Sequence, residues 1–67
     1  MNRLKKIREH AGISQAELAE AIGVTQGAIS QYETGRWMPT VDKLKAMAQK
    51  LGVTVDELLK EDQDDEG

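Results

Sequence analysis

Apolar residues recur every three or four positions along most of this 67-residue chain, and no run alternates apolar with polar residues. The first spacing is typical of amphipathic helices and the second of strands, so the pattern predicts an all-α fold. The predicted helices are one carrying Leu4 and Ile7, then QAELAEAI (15–22), QGAISQYE (26–33), TVDKLKAMAQKL (40–51) and VDELL (55–59). We therefore expect one compact five-helix domain over residues 1–60.

Each predicted helix begins at a residue whose side chain can accept a hydrogen bond from the N–H groups of a first turn. These candidate N-caps are Asn2, Ser14, Thr25, Thr40 and Thr54. Two of them, Ser14 and Thr54, precede a glutamate by three residues, so Glu17 and Glu57 complete two predicted capping boxes. At the other ends, Gly23 and Gly52 are suited to stop helices in the left-handed conformation.

The stretch GVTQGAIS (23–30) separates two of these helices by a very short connection. Gly23 ends one helix, Val24 can fill the inside of the corner, and Thr25 caps the next helix. Two short helices joined by a glycine-containing turn of about three residues form a helix-turn-helix, whose second helix enters the major groove of DNA.

Charge divides the chain into two unequal parts, although its net charge is −3. Residues 1–50 carry eight Lys or Arg against five acids, whereas residues 51–67 carry one Lys against seven acids. A basic body favours a polyanionic partner. The last segment, EDQDDEG (61–67), has no apolar residue to bury, so we expect a disordered acidic tail that improves solubility or competes with a polyanion for the basic face.

Several function classes are disfavoured by what the sequence lacks. Without cysteine, and with His10 as the only histidine, the chain has neither a disulfide nor an evident metal-ligand set. No signal peptide and no apolar run near ~20 residues is visible, which indicates a cytoplasmic protein without a membrane span. Because no catalytic motif or phosphate-binding loop occurs either, we expect no enzyme activity, cofactor or small-molecule ligand.

The stretches SQAELAEAIGVTQGAISQYETGRWMP and KLKAMAQKLGVTVDELL together resemble the DNA-binding domain of the lambda-repressor and Cro type. The resemblance covers nearly everything except the acidic tail. It implies a five-helix domain in which helices two and three form the helix-turn-helix, and a homodimer on a nearly palindromic operator. It also implies that Gln26 and Gly27 lie nearest the base edges, with Gln15 near the DNA backbone. Many relatives carry a base-reading side chain where this chain has Gly27.

A helical wheel of the third helix gives a similar DNA-facing surface. The predicted base contacts are Gln26, Gly27, Ser30 and Gln31, and a glutamine can bond both N6 and N7 of adenine. The predicted contacts to the DNA backbone are Gln15, Thr25, Arg36, Trp37, Thr40 and Lys43, among which Thr40 opens a helix whose N–H groups attract anions. A solvated helix surface is the alternative for the glutamines, and a core anchor is the alternative for Trp37.

Glu33 falls on the inner side of the third helix, where an isolated charge is expensive. Arg8 lies four residues after Leu4, on the inner face of the first helix. An Arg8–Glu33 ion pair is therefore expected, and the family resemblance implies the same pair. The alternative is that both charges are solvated.

These observations predict a sequence-specific regulator of transcription that binds double-stranded DNA, most simply a phage-type or small bacterial repressor. Because one recognition helix reads few base pairs, we expect a weak homodimer on a nearly palindromic operator. Its predicted surface is the segment 52–59, with Val53, Val55, Leu58 and Leu59. The alternative is a protein-interaction module, such as an antitoxin-like or adaptor protein, which requires an exposed apolar patch.

Overall fold

The computed structural model describes residue 1 and residues 3–60. Within these residues the regular structure consists of α1 (Leu4–His10), α2 (Gln15–Ile22), α3 (Gln26–Thr34), α4 (Val41–Leu51) and α5 (Val55–Leu59). The predicted all-α fold with five helices is confirmed, and every boundary predicted for α2 to α5 agrees within one residue. The candidate cap Asn2 and the acidic tail 61–67 lie outside the described residues.

The helix ends follow the side-chain chemistry expected of them. Ser14 Oγ accepts from the Glu17 N–H at 3.0 Å, and the Glu17 carboxylate accepts from the Ser14 N–H at 2.8 Å, which is the predicted capping box. The hydroxyls of Thr25, Thr40 and Thr54 cap α3, α4 and α5 in the same way. In α1, Arg3 occupies the N-cap position and makes no side-chain capping bond.

The capping box predicted at α5 forms only in part. Thr54 Oγ1 accepts from the Glu57 N–H at 3.1 Å, but the Glu57 carboxylate pairs with Arg3 Nη2 at 3.2 Å. The guanidinium of Arg3, the N-cap residue of α1, thus binds the carboxylate that the local sequence assigns to the cap, because a charged donor forms the stronger hydrogen bond. The pair joins the first helix to the last.

Each helix contributes one fully buried side chain to a single core, and these five are Leu4, Leu18, Ile29, Met47 and Leu58. Leu58 was predicted to lie on a dimer surface, and that assignment is wrong for the monomer, in which Leu58 has no exposed surface. The reason is that a domain this small needs an inward side chain from every helix to close its core. Val53 and Val55 are half-buried against the core, and Leu59 remains 41% exposed.

The connection between α2 and α3 sets the position of α3. Gly23 is left-handed, with φ 77°, and the Ala19 carbonyl accepts from the Val24 N–H at 3.0 Å. Ala19 is buried, and Val24 is half-buried against the core. Val24 therefore fills the corner as predicted, with Ala19 also buried there, and α3 leaves the turn with its first residues on the surface.

Candidate nucleic-acid interface

One face of α3 is buried and its first turn is exposed. Ala28, Ile29 and Tyr32 pack into the core, whereas Gln26 and Gly27 are exposed. Ser30 is half-buried. The structure therefore presents the start of α3, rather than its whole length, to an approaching partner.

Gln31 is more buried than the helical wheel predicts. Its side-chain Oε1 is inaccessible to solvent and has no hydrogen-bond partner. Its backbone carbonyl accepts from the Arg36 and Trp37 N–H groups, at 3.0 and 3.3 Å, where the chain turns away from α3. The wheel treats α3 as an isolated helix and so cannot include this loop.

The starts of α2 and α3 are joined through two glutamines. Gln26 Nε2 donates to Gln15 Oε1 at 3.3 Å, and Gln15 Nε2 donates to Glu33 Oε1 at 2.8 Å. The resemblance placed both glutamines near DNA, but sequence reasoning did not find their bond to each other or to Glu33. The one available signal is that each glutamine directly follows a helix cap, Ser14 or Thr25.

The structure brings Arg8 and Glu33 together beneath these glutamines. Arg8 Nε donates to Glu33 Oε2 at 2.6 Å, and the two side chains are only 9% and 6% exposed. Arg8 Nη1 also donates to the Ile13 carbonyl at 2.9 Å. A continuous hydrogen-bonded chain, hereafter the Arg8–Gln26 chain, therefore runs from Arg8 through Glu33 and Gln15 to Gln26.

Side chains suited to phosphate contacts lie on the elements around this first turn. The hydroxyls of Thr25 and Thr40 accept backbone N–H bonds at their helix starts, and each has one O–H donor in addition. Lys43 is half-buried and donates from Nζ to the Ile22 carbonyl at 2.9 Å, at the end of α2. Since an ammonium has three donors, this bond leaves two others for an anion.

Exposed apolar side chains follow Arg36 in the α3–α4 loop and at the first residue of α4. Trp37 is 54% exposed, so a core-anchor role for it is wrong, and Met38 and Val41 are 63% and 65% exposed. Sequence reasoning missed Met38 and Val41. Their exposure depends on how the loop leaves α3 at Gly35, which is left-handed with φ 85°.

Charge is distributed unevenly between the starts of the two helices. The first turn of α2 holds Glu17, and the backbone and side-chain hydrogen bonds to Ser14 lower the pKa of this carboxyl below its ordinary value. The first turn of α3 has no acidic residue. Glu33, the acid later in α3, is paired with Arg8, so the exposed start of α3 carries no uncompensated negative charge.

A groove of about 440 Å³ lies between α1 and the α4–α5 region. Its lining includes Ile7, Leu51 and Val53, together with Arg3, His10 and Glu57. Among residues 1 and 3–60, no group of three or more His, Asp or Glu is arranged to hold a metal ion. No helix in that part of the chain is both long and apolar enough to span a membrane.

Known proteins similar to this chain are regulators of transcription. A family described as helix-turn-helix matches residues 4–58. The transcriptional activator BcrR of Enterococcus faecalis is 37% identical over 85% of this chain, and the prophage-derived regulator YonR of Bacillus subtilis is 40% identical over 87%. The phage CTXphi repressor RstR of Vibrio cholerae is 34% identical over 84%. The chain spans 28%, 54% and 50% of these three proteins, respectively.

Solved structures agree with these relatives. The P22 c2 repressor, crystallised with a synthetic operator, has a TM-score of 0.82 and 36% identity, over 88% of this chain and 89% of the repressor chain. The structure of SinR in complex with SinI has a TM-score of 0.79 and 34% identity. The match covers 90% of this chain and 59% of the matched chain in that structure. The five helices and the α2–α3 turn agree with these similarities. The chain therefore belongs to the helix-turn-helix family of the lambda-repressor type.

Proposed function

We propose that this chain regulates transcription by binding double-stranded DNA in a sequence-specific manner, with the start of α3 in the major groove. The observation that carries the proposal is the exposed first turn of α3, free of acids and positioned by the Arg8–Gln26 chain. Relatives named as transcriptional regulators and the operator complex of the P22 c2 repressor support it.

Gln26 is the principal base-reading residue in this proposal. Its carboxamide has two N–H donors and one acceptor oxygen. One N–H donates to Gln15, so the other can donate to adenine N7 while Oε1 accepts from the adenine N6 amino group. The bond to Gln15 therefore holds the carboxamide and leaves its second N–H and its Oε1 for adenine. Gly27, Ser30 and Gln31 complete the base-facing set, and Gln31 must turn its buried carboxamide oxygen outward to use it there.

The phosphate contacts come from the surrounding elements. Thr25 and Thr40 can donate their hydroxyl protons, and Arg36 and Lys43 can neutralise phosphate charge, while Gln15 and the exposed ring of Trp37 lie at the edge of the surface. Contacts of this kind fix the protein on the duplex without reading its sequence.

We further propose that the protein acts in the cytoplasm as a repressor, bound as a homodimer to a nearly palindromic operator. The dimer surface is assigned to Val53, Val55 and Leu59, next to the groove between α1 and α4–α5. With Leu58 inside the core, this surface is smaller than the sequence predicts, which favours a weak dimer strengthened on DNA by mass action.

Selection of bound duplexes from a random pool, followed by titration of the best one at increasing salt, tests the proposal. We expect one selected sequence with two-fold symmetry, and a loss of affinity of about one power of salt per phosphate neutralised. Arg36→Ala should weaken binding to all sequences alike and reduce that salt slope by about one. An affinity independent of salt, or none at ~50 mM salt, contradicts DNA binding. One protein copy per operator at saturation contradicts the dimer alone.

A protein-interaction module is the second candidate function. The exposed Trp37, Met38 and Val41 favour it, because three large apolar side chains exposed close together in the sequence are suited to a binding surface. SinR provides a precedent for the fold in a complex with another protein. Failure to enrich any sequence in the selection experiment would favour this candidate over the first.

A further inference from the structure

Gly27 is the one glycine of the described residues whose backbone does not require glycine. Gly12, Gly23, Gly35 and Gly52 all have positive φ, where other residues are strained. Gly27 lies in the first turn of α3 with no such φ. A helical glycine of this kind destabilises a fold relative to alanine. Its presence therefore needs a reason other than backbone conformation.

Packing within the chain does not provide that reason. A Cβ atom added at Gly27 meets only Thr25 Oγ1, at 3.8 Å, which is an ordinary contact. The corresponding position of α2, the second residue of the helix, is occupied by Ala16. The fold would accept alanine at position 27 as it does at position 16. Glycine therefore leaves open space on the exposed side of the turn, hereafter the notch.

We propose that this notch is a specificity determinant that receives the C5-methyl group of a thymine. The inference rests on the proposed DNA-binding function and identifies a ligand group for a position that has no side chain. In this proposal one base pair is recognised because the absence of a side chain leaves room for its methyl group, and not through a hydrogen bond.

The chemistry around the notch favours a methyl group. The neighbouring Gln26 offers hydrogen bonds, and Ser30 lies one turn further along the helix, so polar base edges already have partners there. Gly27 presents a bare Cα without a side-chain donor or acceptor. The thymine methyl is the apolar feature of the major groove, and its removal from water is favourable. Glycine also permits the close approach of helix backbone to ligand that a methyl contact requires.

The test uses Gly27→Ala and the best duplex from the random pool. Because alanine is the better helix former, the variant should melt about 2–8 °C higher than the wild type. Its affinity for the selected duplex should nevertheless fall about tenfold or more, the size of the loss caused by one mismatched base pair. Stability and affinity thus move in opposite directions, so the loss of binding cannot result from unfolding.

A second arm identifies the group in the notch. Each thymine of the duplex is replaced in turn by deoxyuridine, which lacks only the methyl group. The wild type should lose about fourfold in affinity at one position of each half-site, and Gly27→Ala should lose nothing there. Ala21→Gly is the control, since Ala21 is exposed on α2 beside Glu17 and Glu20. It should melt lower and bind the duplex unchanged.

The outcomes separate the two levels of the proposal. A wild type that enriches no duplex overturns the function and the inference together. A wild type that binds, with Gly27→Ala binding equally well, overturns only the notch. Reduced binding by Gly27→Ala without any position sensitive to deoxyuridine overturns the methyl assignment.

Discussion

The starts of α2 and α3 are built from nearly the same residues and yet serve different purposes. From the cap onward, α2 begins Ser14, Gln15, Ala16, Glu17 and α3 begins Thr25, Gln26, Gly27, Ala28. In both helices the cap hydroxyl accepts from the N–H three residues later, and a glutamine stands in the first helical position. Apart from serine against threonine at the cap, the two helices differ at the third and fourth of these residues.

At α2 the differences add stability. The Glu17 carboxylate accepts a hydrogen bond from the Ser14 N–H, and its charge interacts favourably with the positive end of the helix dipole. At α3 the fourth residue, Ala28, is buried, which leaves no room for a solvated carboxylate. An acid at the exposed start of α3 would also repel phosphate. The start of α3 therefore keeps its capping hydroxyl but lacks the stabilising acid of α2, at the surface that meets a polyanion in the proposed function.

The two helix starts are nevertheless coupled, because both are attached to one buried ion pair. Glu33 uses one carboxylate oxygen for Arg8 and the other for Gln15, which holds Gln26.

Breaking the coupling should have the largest effect. Arg8→Met leaves Glu33 buried without its charged partner, so we expect a loss of about 3–5 kcal/mol in the free energy of unfolding, measured by chemical denaturation. The double variant Arg8→Met with Glu33→Leu should recover much of that loss, since apolar pairs often replace buried ion pairs at little cost. An unchanged melting temperature for Arg8→Met would contradict the buried pair.

Removing the two glutamines separately sharpens the difference between the helix starts. Gln26→Ala should weaken binding to the best duplex by about 1–3 kcal/mol and abolish the preference at one base pair. Gln15→Ala should weaken all sequences by a smaller amount and leave the selected sequence unchanged. Identical changes in the selected sequence for both variants would show that the starts of α2 and α3 do not divide base and backbone contacts as proposed.

The capping box of α2 should produce the smallest effect, and one that depends on pH. Because folding lowers the pKa of Glu17, its contribution is complete above the pKa of an unfolded glutamate and is lost as pH falls through the lower folded value. Glu17→Gln keeps a capping side chain without the charge. Its melting temperature should lie below that of the wild type at neutral pH and converge with it in acid. A constant difference across this range would contradict the ionic contribution.

Local chemistry made the helices predictable, whereas competition between distant groups did not. Caps and left-handed glycines act over a few residues, so the bounds of α2 to α5 follow from the sequence. Glu57 differs from prediction because Arg3, far away in sequence, binds its carboxylate. Leu58 also differs from prediction, because it is buried in the core and not exposed on a dimer surface. Helical spacing predicts which residues share a face of α5, but it does not predict which part of the protein covers that face.

The candidate site divides in a similar way. The pairing of Arg8 with Glu33 could be anticipated, because each lies on the inner face of its helix and neither charge can be buried alone. The bonds of Gln15 could not be anticipated, since a glutamine on a helix surface has many partners of equal strength. The exposure of Trp37 and the burial of the Gln31 carboxamide depend on the path of one loop, for which the sequence offers only Gly35 and Pro39 as guides.

The position of Trp37 has a spectroscopic consequence. It is the chain's sole tryptophan, and it stands more than half exposed on the α3–α4 loop rather than in the core. Its fluorescence should therefore change little when the helices melt, and denaturation is better followed by circular dichroism. The same indole lies at the edge of the proposed DNA surface, where a bound duplex would exclude solvent from it and shift or quench its emission. The emission of Trp37 should thus report binding at the proposed DNA surface, while changing little when the protein unfolds.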